Sequence, residues 1–198
     1  MNIISLFSGA GGLDKGFEAS GFETIWANEY DKDIWETFEK NFPNTKLDRR
    51  SIRDVPSSEI PDCDGIIGGP PCQSWIEAGA LRGIKDKRGQ LFFEFIRILR
   101  DKQPKFFLAE NVSGMLAPRH ASALENIKEL FSDSGYDLSF SMLNAVNYGV
   151  PQDRKRVFFI GIRKDLSFNF KFPSELKNKR VLKDIIFDIQ DNVDRKSV

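Results

Sequence analysis

Three short apolar runs in this chain stop abruptly at residues that no hydrophobic core would hold. Asn2–Phe7 runs into the glycine cluster Gly9-Ala10-Gly11-Gly12, Asp64–Gly68 into Gly69-Pro70-Pro71-Cys72, and Phe106–Ala109 into Glu110-Asn111. Runs of this length suit buried strands, and amphipathic stretches separate them. Leu13–Ser20 reads as a helix closed by Gly21, and Asp31–Asn41 as a second helix. Gly89–Lys102 carries Leu91, Phe92, Phe95, Ile98 and Leu99 at a helical period. Thr24–Asn28 reads as a further strand, Ala121–Ser134 as a further helix, and Tyr136–Asn144 and Val157–Arg163 as closing strands. The alternation predicts an α/β fold, a mostly parallel sheet with helices on both faces. In open sheets of this kind ligands lie beyond the carboxyl ends of the strands. All three abrupt stops fall there, so they are expected to converge on one crevice.

Composition narrows the chemistry. At 198 residues and 40% hydrophobic, the chain has the size and apolar content of one domain with a core. No apolar run approaches the roughly 18 residues of a spanning helix, and the N-terminus lacks a signal pattern. The two cysteines, Cys63 and Cys72, make neither a disulfide framework nor a tetrahedral metal set. The expected setting is therefore the reducing cytoplasm, with no metal and no membrane partner. The single histidine, His120, rules out a multi-His zinc site and leaves any serine-hydrolase triad to this one residue. Net charge is zero, yet the part from Leu143 onward is net basic and the rest net acidic. That asymmetry suits an anionic partner near the C-terminal part, or only a solvated surface.

The glycine loop Phe7-Ser8-Gly9-Ala10-Gly11-Gly12-Leu13 lets the backbone turn tightly and approach a ligand. It departs from the dinucleotide fingerprint, whose last glycine position falls on Asp14, and it lacks the Lys-Ser/Thr of a phosphate-cradling loop. A nucleoside-like ligand without a pyrophosphate fits better, and Glu29 can accept hydrogen bonds from two ribose hydroxyls; the alternative is a strand–helix turn without a ligand. Cys72 is held by two prolines and two glycines, a rigid setting for a nucleophilic thiolate. Cys63 reads instead as an inert buried thiol. Glu110 ends an apolar strand, a costly place for a carboxylate that does no chemistry. An extended segment would put Gln152, Arg154 and Arg156 on one side. Its two guanidiniums then serve phosphate or base contacts, or form a solvated edge.

In this order, the residues resemble the motif series of the DNA (cytosine-5) methyltransferases of bacterial restriction–modification type, from Met1 to about Lys164. The resemblance implies a Rossmann-like S-adenosylmethionine-dependent methyltransferase fold for residues 1–164. It implies S-adenosylmethionine as cofactor, bordered by Phe7, Gly9, Gly11, Gly12, Leu13, Glu29, Tyr30, Ser51, Ile52 and Pro70. Methyl transfer to C5 of cytosine would run through a covalent Cys72–C6 intermediate, with Glu110, Arg154 and Arg156 as the other catalytic residues. Gln73, Ser74, Gln152 and Arg154 would face double-stranded DNA, with the target base flipped out and the loop Gln73–Arg88 closing over it. The block Gln73–Leu99 is also similar to the subgroup that modifies GGCC.

Departures from the family pattern are informative. Arg50-Ser51-Ile52 stands where the family carries Gly-Asp-Ile, whose acid accepts from the adenine amino group, and Ile76 stands where a small hydroxyl residue is usual. Residues 165–198 read as the start of a connection to a target-recognition region. A second chain carrying that region and the last cofactor-pocket motif is an expected partner. Other readings are a degenerate, non-catalytic fragment and a transfer-RNA cytosine-5 methyltransferase of the DNA-enzyme type. A nucleotide-dependent oxidoreductase is opposed by the failed fingerprint.

Overall fold

The computed structural model describes residues 1–71 and 89–186. Among them one sheet is built from β1 (Asn2–Leu6), β2 (Glu23–Asn28), β3 (Lys46–Asp48), β4 (Gly65–Gly68), β5 (Phe106–Val112), β6 (Tyr136–Asn144) and β7 (Lys155–Arg163). Their order is β3-β2-β1-β4-β5-β7-β6. Pairings among β1 to β5 are parallel, and β7 runs antiparallel between β5 and β6. The main helices are α1 (Gly12–Ala19), α2 (Lys32–Asn41), α3 (Gly89–Lys102) and α4 (Ala121–Asp133). The α/β architecture with a mostly parallel sheet is the one the sequence predicts.

Two neighbouring phenylalanines on β5 show how the layers assemble. Successive side chains of a strand point to opposite faces. Phe106 stacks on Phe17 of α1, with ring centroids 6.2 Å apart, while Phe107 meets Phe95 of α3 at 6.1 Å and Phe131 of α4 at 4.4 Å. Helices therefore cover both faces. Phe107 lies opposite Gly161 of β7, where an added Cβ would fall 2.0 Å from the phenylalanine ring. Gly161→Ala is expected to cost roughly 1–3 kcal/mol through overpacking, read from the denaturant midpoint. An unchanged midpoint would mean that the ring can move aside.

Three details differ from expectation. β3 is a three-residue edge strand that the sequence does not announce. β5 continues past Ala109 to Val112: its parallel pairing with β4 stops at Gly68↔Ala109, but its antiparallel pairing with β7 runs on to Val112↔Arg156. Glu110 and Asn111 thus lie inside a strand rather than past its end. Gln152 and Arg154 precede β7 on a tight turn, with Gln152 N donating to Val150 O at 2.7 Å and Arg154 N to Gln152 O at 3.0 Å. The uniformly extended segment expected for 152–156 is not formed; the strand begins at Lys155, so of Gln152, Arg154 and Arg156 only Arg156 belongs to it.

On the α1 side the helical cover ends over β5. A trough of about 390 Å³ is floored by Phe106, Leu108, Ile160 and Ile162, with Phe17 and Phe168 on its walls.

Candidate active site

The carboxyl ends of β1 and β2 are tied together by one carboxylate. Leaving β1, the chain enters the left-handed region at Phe7, Gly9 and Gly11, with φ of 56°, 55° and 83°. Gly11 has a second reason to be glycine, since a Cβ there would lie 2.1 Å from the Phe42 ring. Gly9 N donates to Glu29 Oε2 and Asp31 N to Glu29 Oε1, both at 2.8 Å. Trp35 Nε1 donates to the Glu29 carbonyl at 2.8 Å. Glu29 is half-buried, and nothing stands within 4 Å of a Cβ placed at Gly9 or Gly12. The loop is therefore open on the side that a ligand would approach.

Beside Glu29, the buried Asn28 joins β2 to the segment after β3. Its Nδ2 donates to the carbonyls of Asp48 at 3.0 Å and Arg50 at 2.9 Å. Arg50 in turn clamps Asp48 and Glu59, at 2.6 Å and 2.8 Å. These contacts hold the Asp48 carboxyl below its usual range, the Arg50 hydrogen bond being the main cause. Ser51 follows, half-buried at the head of the Ile52–Asp54 turn, and its hydroxyl makes no capping bond there. Ile52 is buried.

A second asparagine does the same work at the ends of β4 and β5. Asn111 is buried; its Nδ2 donates to the Pro70 carbonyl at 2.8 Å, while its Oδ1 accepts from Val112 N at 3.0 Å. Glu110 Oε2 stands 3.6 Å from the Cβ position of Gly69. Its Oε1 accepts from Arg156 Nε at 2.8 Å, with Arg154 Nη2 at 3.7 Å. The Arg156 contact is a charge-assisted hydrogen bond of good length. A cleft of about 420 Å³ opens here, bordered by Gly12 and Leu13 on one side and by Glu110, Arg154 and Arg156 on the other.

The structure thus brings Gly12, Leu13, Glu110, Arg154 and Arg156 to one cleft, with Phe7, Gly9, Gly11, Glu29, Ser51, Ile52 and Pro70 along the adjoining strand ends. Tyr30 is exposed and lines a separate hollow with Asp31, Lys32, Trp35 and Arg49. Gln152 is exposed on its turn. Cys72, Gln73, Ser74 and the loop to Arg88 lie outside the described residues, immediately after Pro71. Sequence reasoning missed Asn28 and Asn111 as the ties between strands, and Leu143, Ala145, Tyr148 and Phe158 as further walls of the cleft. A signal for the asparagines was present. Each adjoins a site carboxylate at the end of an apolar run, where an unpaired amide would be costly.

Cys63 packs against the main core, and burial pushes its thiol up to about 12. Such a thiol stays protonated at neutral pH and is a poor nucleophile.

Comparison with known proteins gives a consistent picture. The family model described as C-5 cytosine-specific DNA methylase matches residues 1–197. The chain is 62% identical to the type II methyltransferase M.NgoPII of Neisseria gonorrhoeae, over 96% of this chain and 58% of that protein. It is 59% identical to the type II methyltransferase M.FnuDI of Fusobacterium nucleatum, over 97% of this chain and 56% of that protein. Among solved structures, one from E. coli described as a prophage-encoded DNA modification methyltransferase superposes with a TM-score of 0.79. It is 32% identical, and the match covers 94% of this chain and 54% of that one. The chain spans a little over half the length of these two relatives.

Proposed function

This chain belongs to the C-5 cytosine-specific DNA methylase family, and on that premise we propose that it is the catalytic part of a restriction–modification enzyme that methylates C5 of cytosine in DNA. Residues 1–164 would form the catalytic unit, and the chain beyond them would lead toward target recognition. The observation that carries the reading is the cleft where the glycine loop, Glu110 and two arginines meet.

The residues present fit S-adenosylmethionine. Open space at Gly9 and Gly12 admits a ligand against the backbone, and Glu29 keeps lone pairs for ribose hydroxyls beyond the two amides it already holds. The Ser51 hydroxyl, without a capping bond, is the candidate acceptor for the adenine amino group. When bound, this cofactor supplies an electrophilic methyl group.

Cytosine C5 is too weak a nucleophile to take that group unaided. In the proposed sequence the Cys72 thiolate forms a bond to C6 while Glu110 relays a proton to N3, and the ring electrons gather on C5. Arg156, hydrogen-bonded to Glu110 before the base arrives, orients the base and polarises its O2. Arg154 supports the backbone and the closing loop, with Gln73, Ser74 and Gln152 against the DNA. After C5 is methylated, its proton passes to a base, the C6–S bond breaks to release Cys72, and N3 returns its proton to Glu110 as the ring is restored. The target base has to leave the duplex stack for this geometry.

Titration calorimetry with S-adenosylmethionine and with NAD tests the reading. Binding of the first and none of the second is expected; the reverse would overturn it. Within the same assay, Ser51→Asp is expected to tighten S-adenosylmethionine by about 1 kcal/mol, roughly fivefold in Kd, by replacing a neutral acceptor with a charged one. Unchanged or weaker binding would show that Ser51 does not face the adenine.

A further inference from the structure

Arg97 lies on α3, away from Glu110 and Cys72 in the chain, and its guanidinium reaches two backbone carbonyls, a hydroxyl and a carboxylate. Nη2 donates to the carbonyls of Ile52 at 3.1 Å and Val55 at 3.0 Å, and Nη1 to Ser57 Oγ at 2.6 Å. Nε donates to Glu94 Oε2 at 2.7 Å, which fixes the fork from its own helix. Ser57 Oγ also donates to Asp101 Oδ2 at 2.5 Å, a second link between the same turn and α3.

The turn carries one good backbone hydrogen bond of its own, Asp54 N donating to the Ser51 carbonyl at 2.8 Å. Ile52–Asp54 is a single three-residue turn, and its exit is the weaker end, with Val55 N to Ile52 O at 3.4 Å. Its apolar side chains Ile52 and Val55 are buried. On its other flank, Asn28 holds the Arg50 carbonyl. Ser51 therefore sits between two anchors, Asn28 from β2 and Arg97 from α3, beside Glu29 at the carboxyl edge of the sheet. α3 starts at Gly89, where the chain returns from the nucleophile loop.

We infer that Arg97 is a positioning residue for the cofactor, holding the Ser51–Val55 turn so that Ser51 meets the adenine edge. This deepens the proposed function and rests on it. A planar fork with five donors can serve two carbonyls, a hydroxyl and a carboxylate at once, whereas a lysine ammonium has three donors and no fork. Arg97→Lys keeps the charge and the stem but loses part of this set, so Ser51 gains freedom without the helix losing its packing.

The test is titration of the wild-type protein, Arg97→Lys, Arg97→Met and Ser57→Ala, each co-expressed with a polypeptide matching the remaining part of a relative, with S-adenosylmethionine and with its counterpart carrying an unsubstituted purine base. Thermal melting of each protein gives the folded fraction. Wild type is expected to prefer the adenine form. Arg97→Lys is expected to bind S-adenosylmethionine about 5- to 20-fold more weakly, the scale of one or two hydrogen bonds. The preference for adenine over unsubstituted purine should shrink with it, and Ser57→Ala should shift both in the same direction by less. A merely structural role would lower the melting temperature and leave the preference of the folded protein unchanged. That outcome, in Arg97→Lys and Ser57→Ala, overturns the inference even if Arg97→Met does not fold. Absence of S-adenosylmethionine binding by the wild-type protein would instead overturn the cofactor reading, and the inference with it.

Discussion

Replacement of Cys72 by serine is expected to abolish covalent capture of DNA containing 5-fluorocytosine. Fluorine at C5 blocks the proton loss that would release the enzyme, so a thiolate bonded to C6 stays there once the methyl group has been transferred. A serine hydroxyl, far less acidic than a thiol, should not form the adduct. Turnover on ordinary DNA should fall by a factor on the order of 10⁴ or more, the scale on which removal of a nucleophile is felt. The measurement is a denaturing gel of the protein, any completing chain, cofactor and labelled DNA. A Cys72→Ser protein that captures DNA as well as wild type would end the mechanism. Cys63→Ser is the internal control. Its thiol is packed against the core and shifted upward by burial, so capture should be unaffected.

The second large effect concerns completion. The chain spans 58% of M.NgoPII, and sequence-specific reading of DNA requires contacts to base edges that phosphate-directed arginines do not supply. Arg154 and Arg156 would give salt-sensitive binding without sequence preference. The trough over β5 and β7, with Phe106, Leu108, Ile160 and Ile162 on its floor, is apolar surface of the kind that associates. We therefore expect the 198-residue chain alone to be poorly soluble or self-associating and inactive in site-specific methylation. Co-expression with a polypeptide matching the remaining part of a relative should restore solubility and transfer of labelled methyl groups to DNA. Efficient site-specific methylation by the purified chain alone would refute this.

The candidate site is legible in sequence where local chemistry speaks for itself. The glycine loop has to be glycine-rich because Gly9 and Gly11 adopt positive φ, and such positions announce themselves in any context. Glu110 is conspicuous because a carboxylate in an apolar run needs a partner, and Arg156 is that partner. The helical period of Gly89–Lys102 likewise appears as a helix with the same bounds.

Tertiary structure decided what depends on pairing between distant segments. Backbone hydrogen bonds are nearly the same for every residue, so nothing local says that β7 inserts between β5 and β6, or that it extends β5 to Val112. Packing decides it: Gly161 leaves the room that the Phe107 ring fills. That register places Arg156 opposite Val112, within reach of Glu110 two residues earlier. β3 escaped notice because three residues at a sheet edge carry no periodicity of their own. Asn28 and Asn111 show the same division. Their positions beside two carboxylates are plain in the sequence, but the carbonyls they satisfy, on Asp48, Arg50 and Pro70, are about 20 to 41 residues away. Local chemistry marks the glycine loop and Glu110 in the sequence, because backbone conformation and the cost of a buried charge are local properties. Which strand ends stand side by side was settled only by the fit of side chains across the sheet.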